Sequence, residues 1–201
     1  MTRSLSLRHR HMLEVESGIA PHVITERGYY TETDPAALAD LGFKRYQCLP
    51  GLVFPEWTVT GIQRGYKLRP DNPRHDDRGK AVKYENPAGA RHQIDVPPGV
   101  VPLLANPRIT LYITEGARKA DAAWSHGLAC VSLGGVWAFL RDKRVIPDFD
   151  DIALNGRLVR IAFDSDVMRK ASVREALDRL AAALDRRGAI VEAIYFPEEV
   201  A

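Results

Sequence analysis

The chain has 201 residues, enough for one large hydrophobic core or two small ones, and 45% of its residues are hydrophobic and 27% charged. These proportions are those of ordinary globular proteins and exclude the compositionally unusual classes, but little else. The net charge is only +2, so any contact with nucleic acid has to come from a local basic patch rather than from the molecule as a whole.

The cysteines and the apolar segments indicate the compartment. Cys48 and Cys130 are too few for a zinc ribbon, and their wide separation is unlike a secreted disulfide framework. The N-terminal region has no continuous apolar stretch typical of a signal peptide, and no segment approaches the roughly 18 apolar residues of a membrane helix. We therefore expect a cytoplasmic protein without a membrane span.

The first part of the chain has helical patterns. Residues 5–27 are predicted to be helical, with an interruption at Ser17-Gly18. A short, complete helix is predicted from Asp34 to Gly42, because aspartate is a favourable N-cap and glycine commonly ends a helix.

Short β-type segments follow, separated by proline and glycine. They lie at residues 51–55, 58–63 and 65–70 and predict a small antiparallel sheet. We expect residues 1–106 to form this helical and β-rich lobe and residues 107–201 to form a second domain.

Strands and helices alternate in the second domain. In chain order we predict a strand at 109–116, a helix at 117–126, a strand at 128–133, a helical continuation at 136–141, a polar linker at 143–156, a strand at 158–166, a helix at 172–188 and a strand at 190–196. This order is typical of a parallel sheet with right-handed crossovers. Ser172 and Glu175 are expected to form a capping box at the start of the last helix.

Carboxylates stand where two of these strands end. Glu115 ends one strand, and Asp164 and Asp166 end another. Because ligand sites of open α/β sheets lie at the carboxyl ends of the strands, these three acids are candidates to hold a divalent cation such as Mg²⁺, which prefers oxygen ligands. Glu115 would be either a third metal ligand or a general base.

The residues after Glu115 suit a phosphate group. Gly116 allows a tight turn that brings helix amides near a phosphate. Arg118 and Lys119 follow in the first helical turn, where the helix dipole favours acids. Two cations at this position are explained by contact with phosphate, and the alternative is that they are simply solvated.

Three segments of the second domain, in their order along the chain, resemble the Toprim domain. They are Glu115-Gly116, the strand and Gly-Gly turn of residues 128–135, and Asp164-Ser165-Asp166. The segments ITEGARKADA and IAFDSD look most similar to the Toprim-like domains of phage and plasmid primase proteins. The preceding lobe resembles the amino-terminal part of the primase polymerase domain, through Phe54-Pro55 and residues 61–69 and 83–87.

The resemblance implies a fold and an activity. The fold would be α/β, with a Toprim-type parallel sheet flanked by helices and preceded by a small α+β lobe. The activity would be that of a Mg²⁺- or Mn²⁺-dependent, primase-type nucleotidyltransferase that joins nucleotides on single-stranded DNA during replication of a phage, plasmid or other mobile element. Its metal ligands would be Glu115, Asp164 and Asp166, with Lys119 as a further catalytic residue. A replicative helicase would be a further partner, since the chain has no NTP-hydrolysing motif of its own.

Basic residues interleaved with aromatic ones are candidates for template binding. Cations follow a phosphate backbone, and aromatic rings stack on unpaired bases. The predicted nucleic-acid-binding residues are Arg64, Lys67, Arg69, Lys83, Tyr84, Arg91 and Arg118. The alternative is an ordinary charged β surface.

Two other functions remain open at this point. One is a non-catalytic module that binds DNA or nucleotides and recruits a helicase or polymerase. The other is a Toprim nuclease, against which the primase-like lobe at residues 54–86 argues.

Overall fold

A computed structural model describes residues 4–163 and 170–195. The chain divides into two compact units, the first made of residues 1–56 and 63–91 and the second of residues 57–62 and 92–201. The domain boundary expected at residues 106 and 107 stays a prediction.

The first unit begins with short helices. Helix α1 spans Leu7–His11 and continues as a π-helical turn over Met12–Glu16, and α2 spans Pro21–Arg27. Gly28, with a φ of 84°, ends α2 in the left-handed conformation that favours glycine. The predicted helical region with its interruption is confirmed.

Helix α3, Pro35–Asp40, has the predicted cap. The Oδ1 atom of Asp34 accepts a hydrogen bond of 2.9 Å from the backbone N–H of Ala36. This bond satisfies one of the amide groups that the helix start leaves without an intrahelical partner. The local sequence was therefore sufficient to locate this helix.

A three-stranded sheet completes the first unit. Its strands are β1 (Tyr30–Glu32), β2 (Gly51–Trp57) and β3 (Gln63–Pro70), in the order β1-β2-β3, with β1 antiparallel to β2. Its core contains Tyr30, Leu38, Phe43, Val53 and Leu68.

One predicted strand of the first lobe is wrong. Residues 58–62 form the turn between β2 and β3. The N–H of Thr58 donates to the carbonyl of Ile62, and Gly61 has a φ of 77°. Their polar groups are therefore used within the turn rather than in a strand ladder.

The second unit contains a parallel four-stranded sheet in the order β5-β4-β8-β9. Its elements are β4 (Leu111–Glu115), α4 (Ala117–Ser125), β5 (Cys130–Leu133), β8 (Leu158–Ala162), α5 (Ala171–Asp185) and β9 (Ile190–Ala193). This unit also has two 3₁₀ helices, Pro98–Ala105 before β4 and Pro147–Asp151 before β8. The predicted α/β fold with a parallel sheet flanked by helices is confirmed.

The core of this unit lies against the sheet. Leu111, Ile113, Val131, Val159 and Ile161 have no solvent exposure. Helix α5 buries the leucine-rich face that its sequence period predicted. Each fully buried aliphatic side chain contributes roughly 1.5–3 kcal/mol, so this layer holds the strand ends in place.

The helix predicted at residues 136–141 is wrong, and the end of this segment belongs to a β-hairpin. Strands β6 (Leu140–Arg141) and β7 (Arg144–Val145) pair antiparallel. Asp142 and Lys143, with φ of 52° and 63°, form the turn between them. Residues 136–139 form turns and Leu140 and Arg141 belong to β6, so the predicted helix does not form.

The capping box predicted for α5 is also wrong. The helix begins at Ala171, with Lys170 as the N-cap residue and no capping hydrogen bond from its side chain. Ser172 therefore lies inside the first turn rather than before it. None of the helices within residues 4–163 and 170–195 has the length and hydropathy of a membrane span.

Candidate active site

Glu115 lies at the carboxyl edge of the parallel sheet. It is the last residue of β4, and its register partner in β5 is Leu133. On the other side Thr114 pairs with Ala162, the last residue of β8. Phe163, which follows, is buried. The strands β4, β5 and β8 therefore end level with one another, and Glu115 stands at this edge.

Asp164 and Asp166 lie outside the described residues. The structure does describe β8, the strand that leads to them, and places it beside β4. Convergence of the two aspartates with Glu115 stays a prediction. Among the residues that are described, no group of three or more His, Cys, Asp or Glu side chains is arranged to hold a metal ion.

Gly116 makes the turn from β4 into α4. Its φ of 84° and ψ of 135° are rarely adopted by L-residues, and its N–H donates to the carbonyl of Leu133 over 3.0 Å. As the N-cap residue it supplies no capping side chain, and the first turn of α4 contains no acid. The amide groups and the dipole at this helix start therefore favour an anion.

The two cations in the first turn of α4 differ in their exposure to solvent. Ala117 and Ala120 are buried, Arg118 is half-buried and Lys119 is exposed. Lys119 is thus presented at the surface in the helical turn that directly follows Glu115. Glu115 ends β4 and Lys119 lies in the first turn of α4, so both are at the carboxyl edge of the sheet. The phosphate site and their catalytic roles stay predictions.

Most of the predicted template-binding residues belong to the first unit. On β3, Arg64 is exposed, whereas the Nζ atom of Lys67 forms an ion pair of 2.9 Å with the Oε1 atom of Glu56. Both members of this pair are largely buried. Lys67 is therefore already engaged by a carboxylate, while Arg64 is presented to solvent.

Arg69 and Tyr84 form a second pair in this unit. The guanidinium donates a hydrogen bond of 3.3 Å to the Tyr84 hydroxyl and lies 5.5 Å from the centre of its ring. Tyr84 is 38% exposed, and Lys83 and Arg91 are exposed. A cation beside a partly open aromatic ring is the combination that binds a phosphate and stacks a base.

A group of cations on the β6–β7 hairpin was not predicted from the sequence. Arg141, Lys143 and Arg144 are all exposed at its tip. The run Arg-Asp-Lys-Arg was the available signal, but it was read as the end of a helix and the start of a linker.

The chain is similar to a family without a known function. Residues 102–200 match the model for a domain of unknown function (DUF3854). An uncharacterised protein of Picosynechococcus sp. is 27% identical over 167 residues, covering 64% of this chain and 17% of that protein.

The solved structures that the chain resembles are primases. A crystal structure of the Aquifex aeolicus primase, with its zinc-binding and RNA polymerase domains, has a TM-score of 0.66 at 16% identity, covering 96% of this chain and 50% of that one. The catalytic domain of DnaG primase bound to single-stranded DNA has a TM-score of 0.60 at 17% identity, covering 96% and 66%. The fold is that of a primase catalytic core. The chain spans less than two thirds of the length of either structure.

Proposed function

We propose that the chain is a primase-type nucleotidyltransferase that joins nucleotides on a single-stranded DNA template. The observation that carries this proposal is the level ending of β4 and β8 within a primase-core fold. Glu115 ends the first strand, and the sequence Asp164-Ser165-Asp166 follows the second after one residue. The DNA-bound state of one structural neighbour supports single-stranded DNA as the template.

We propose Glu115, Asp164 and Asp166 as the residues that hold Mg²⁺ or Mn²⁺. Glu115 fits this role, because it is half-buried at the edge of the sheet and provides oxygen donors, the type preferred by hard cations. When bound, the ion neutralises charge on the phosphate that is transferred.

The chain's own groups would bind and orient the nucleotide. The amides at the start of α4 would bind phosphate oxygens, and the exposed Lys119 would add a full positive charge there. Gly116 keeps the backbone close enough for these contacts. Holding the triphosphate beside the growing strand lowers the entropic part of the barrier.

The template would lie along exposed and half-buried cations. Arg69 would contact phosphate while Tyr84 stacks an unpaired base. Arg64, Lys83, Arg91 and Arg118 would add backbone contacts. Lys67 is the weakest candidate, because Glu56 already neutralises it. We further propose a replicative helicase as partner and replication of a mobile element as the setting.

The test is an incubation with single-stranded DNA, labelled nucleotides and Mg²⁺ or Mn²⁺. A primase makes short oligonucleotides, a nuclease shortens the DNA, and a binding module only shifts its mobility. Glu115→Gln, Asp164→Asn and Asp166→Asn should each abolish synthesis. Glu175→Gln and Asp178→Asn on exposed positions of α5 are charge-matched controls and should retain it. Unchanged synthesis in all three site variants would contradict the assignment.

A further inference from the structure

The β6–β7 hairpin has an unusual distribution of charge. Arg141 on β6 is the direct cross-strand partner of Arg144 on β7, and Lys143 occupies the turn. Like charges directly opposite each other destabilise a strand pair. Asp142 is the single acid among these four residues, so the tip has the same net charge of +2 as the whole chain.

The turn itself is an uncommon choice of residues. Positive φ at both central positions defines the tight two-residue turn that usually contains asparagine or glycine. Here the positions are held by Asp142 and Lys143, at φ of 52° and 63°. The chain thus places a lysine at the tip where the backbone alone would favour glycine.

Among the described residues, these cations lack the carboxylate partners that two other arginines of the unit have. Arg160 pairs with Glu192 at 2.8 Å, and Arg187 pairs with Asp150 at 3.0 Å. Within residues 4–163 and 170–195, the three cations of the hairpin form no ion pair. In that part of the chain no ion pair relieves the repulsion between them, and the one negative charge of Asp142 offsets only part of their three positive charges.

The base of the hairpin is anchored in the core. Phe139 and Ile146 are buried, and the N–H of Ile146 donates to the carbonyl of Phe139 over 3.0 Å. The ring of His92 lies with Nδ1 3.2 Å from the carbonyl oxygen of Leu140. A cleft of about 440 Å³ is lined by Arg141, Asp142, Arg144, Val145, Ile146 and Pro147. The charged tip is therefore presented by a fixed support beside an open cleft.

We infer that this hairpin is a phosphate-contacting surface for the backbone of the nucleic acid strand. The inference rests on the proposed function and adds a contact site that lies outside the predicted template-binding residues. A guanidinium group can bind phosphodiester oxygens through two parallel hydrogen bonds, and the negative charge of a phosphate between two opposed guanidinium groups offsets part of their repulsion. Such contacts position a strand without reading its sequence.

The position of the hairpin in the fold agrees with this role. Strand β5 ends at Leu133, level with Glu115, and residues 134–139 connect it to the hairpin. Six residues therefore separate the end of β5, at the edge of the proposed nucleotide site, from the first strand of the hairpin.

The test measures binding of a fluorescein-labelled oligothymidylate by anisotropy, with EDTA and without nucleotides. The hairpin variant combines Arg141→Gln, Lys143→Asn and Arg144→Gln, because asparagine tolerates the left-handed turn position. The control variant combines Arg108→Gln, Arg174→Gln and Arg186→Gln, exposed positions of the same unit with the same change in charge.

We expect the hairpin variant to bind about tenfold more weakly near 0.1 M salt, and the slope of log K against log salt to fall by about 2, since each phosphate contact on a single strand contributes roughly 0.7. The control variant should stay within about twofold of the wild type. If the hairpin variant fails to fold by circular dichroism, Arg141→Gln and Arg144→Gln singly leave the turn intact, and each should weaken binding by a few fold.

Three results would overturn the inference. They are affinity of the hairpin variants equal to that of the control, absence of binding by the wild-type chain, and displacement of the DNA by polyglutamate at equal charge, which would point to an acidic protein instead. Primer synthesis is measured separately. If binding depends on the hairpin but no primer is made, the proposed function is contradicted and the phosphate-contacting surface is supported. If primers are made but binding does not depend on the hairpin, the proposed function is supported and the phosphate-contacting surface is contradicted.

Discussion

The two ends of the parallel sheet use their polar groups in opposite ways. At the amino end, Arg157 is completely buried and donates hydrogen bonds of 2.8–3.1 Å to the carbonyls of Leu103, Leu104 and Ile109. Burial lowers the pKa of this guanidinium. At the carboxyl end, Glu115 is half-buried and Lys119 is exposed.

Other polar groups at the amino end of the sheet are also buried or packed within the fold. Cys130, the first residue of β5, is buried, and desolvation, with a further contribution from the charge of Asp121, raises the pKa of its thiol to about 12. The indole of Trp124 packs against the backbone of Gly99. At this end polar groups serve the fold, whereas at the carboxyl end Glu115 and Lys119 are partly or fully exposed, at the edge where ligands bind in open α/β sheets.

The largest expected effect is at the carboxyl end. Glu115→Gln keeps the shape of the side chain but removes its charge, so synthesis should fall by about 10³-fold, equivalent to roughly 4 kcal/mol of transition-state stabilisation. The melting temperature should stay within about 2 °C, because the site is not part of the core. Rates and thermal melts of the same preparation check both expectations. A large loss of stability would show that Glu115 serves the fold.

Arg157→Met should have the opposite profile. The substitution keeps an apolar stem but leaves three buried or partly buried carbonyls without their donor, which should lower the free energy of unfolding by about 3 kcal/mol. Denaturant titration measures this loss. Below the melting point, the activity per folded molecule should be unchanged. Arg186→Met, at an exposed position, is the control and should change stability by less than about 0.5 kcal/mol.

Two glycine substitutions sharpen the comparison further. A Cβ atom at Gly99 would lie 2.6 Å from Nε1 of Trp124, so Gly99→Ala should destabilise the chain by about 2 kcal/mol through overpacking. The fluorescence emission of Trp124 should shift in the Gly99→Ala variant, because the substitution displaces the indole.

A Cβ at Gly116 would meet nothing within 4 Å, but its φ is 84°. Gly116→Ala should therefore cost about 1–2 kcal/mol through backbone strain and should also reduce activity, whereas Gly99→Ala should not.

The smallest effect is a pH dependence at the amino end. An ordinary thiol ionises near pH 9, whereas Cys130 in the folded chain ionises near 12. The folded state thus holds the thiol proton more tightly than the unfolded state. The contribution of Cys130 to the free energy of unfolding is therefore complete below pH 9 and is lost as pH rises towards 12. Near pH 9.5 the loss should be about 0.8 kcal/mol. Between about pH 8.5 and 10, the free energy of unfolding of Cys130→Ala should fall less steeply with pH than that of the wild type. Equal slopes for the two proteins would contradict a raised pKa of Cys130.

The sequence predicted elements whose signals are local. Asp34 capped α3 as expected, and the apolar period of α5 located its buried face. Glu115 was found because a strand of apolar residues ended in an acid. The residues missed lacked such a signal. Arg157 resembles any surface arginine, and only partners 48 to 54 residues away in sequence reveal that it is buried.

The sequence by itself determined the alternation of strands and helices, and it identified Glu115 with Gly116 as a strand end followed by a helix start. These features depend on side-chain periods and on backbone preferences within a few residues. Only the tertiary structure decided that β4 and β8 end level and that Arg157 is buried. Register, burial and cross-strand contact are set by packing between distant segments, which no short stretch of sequence specifies.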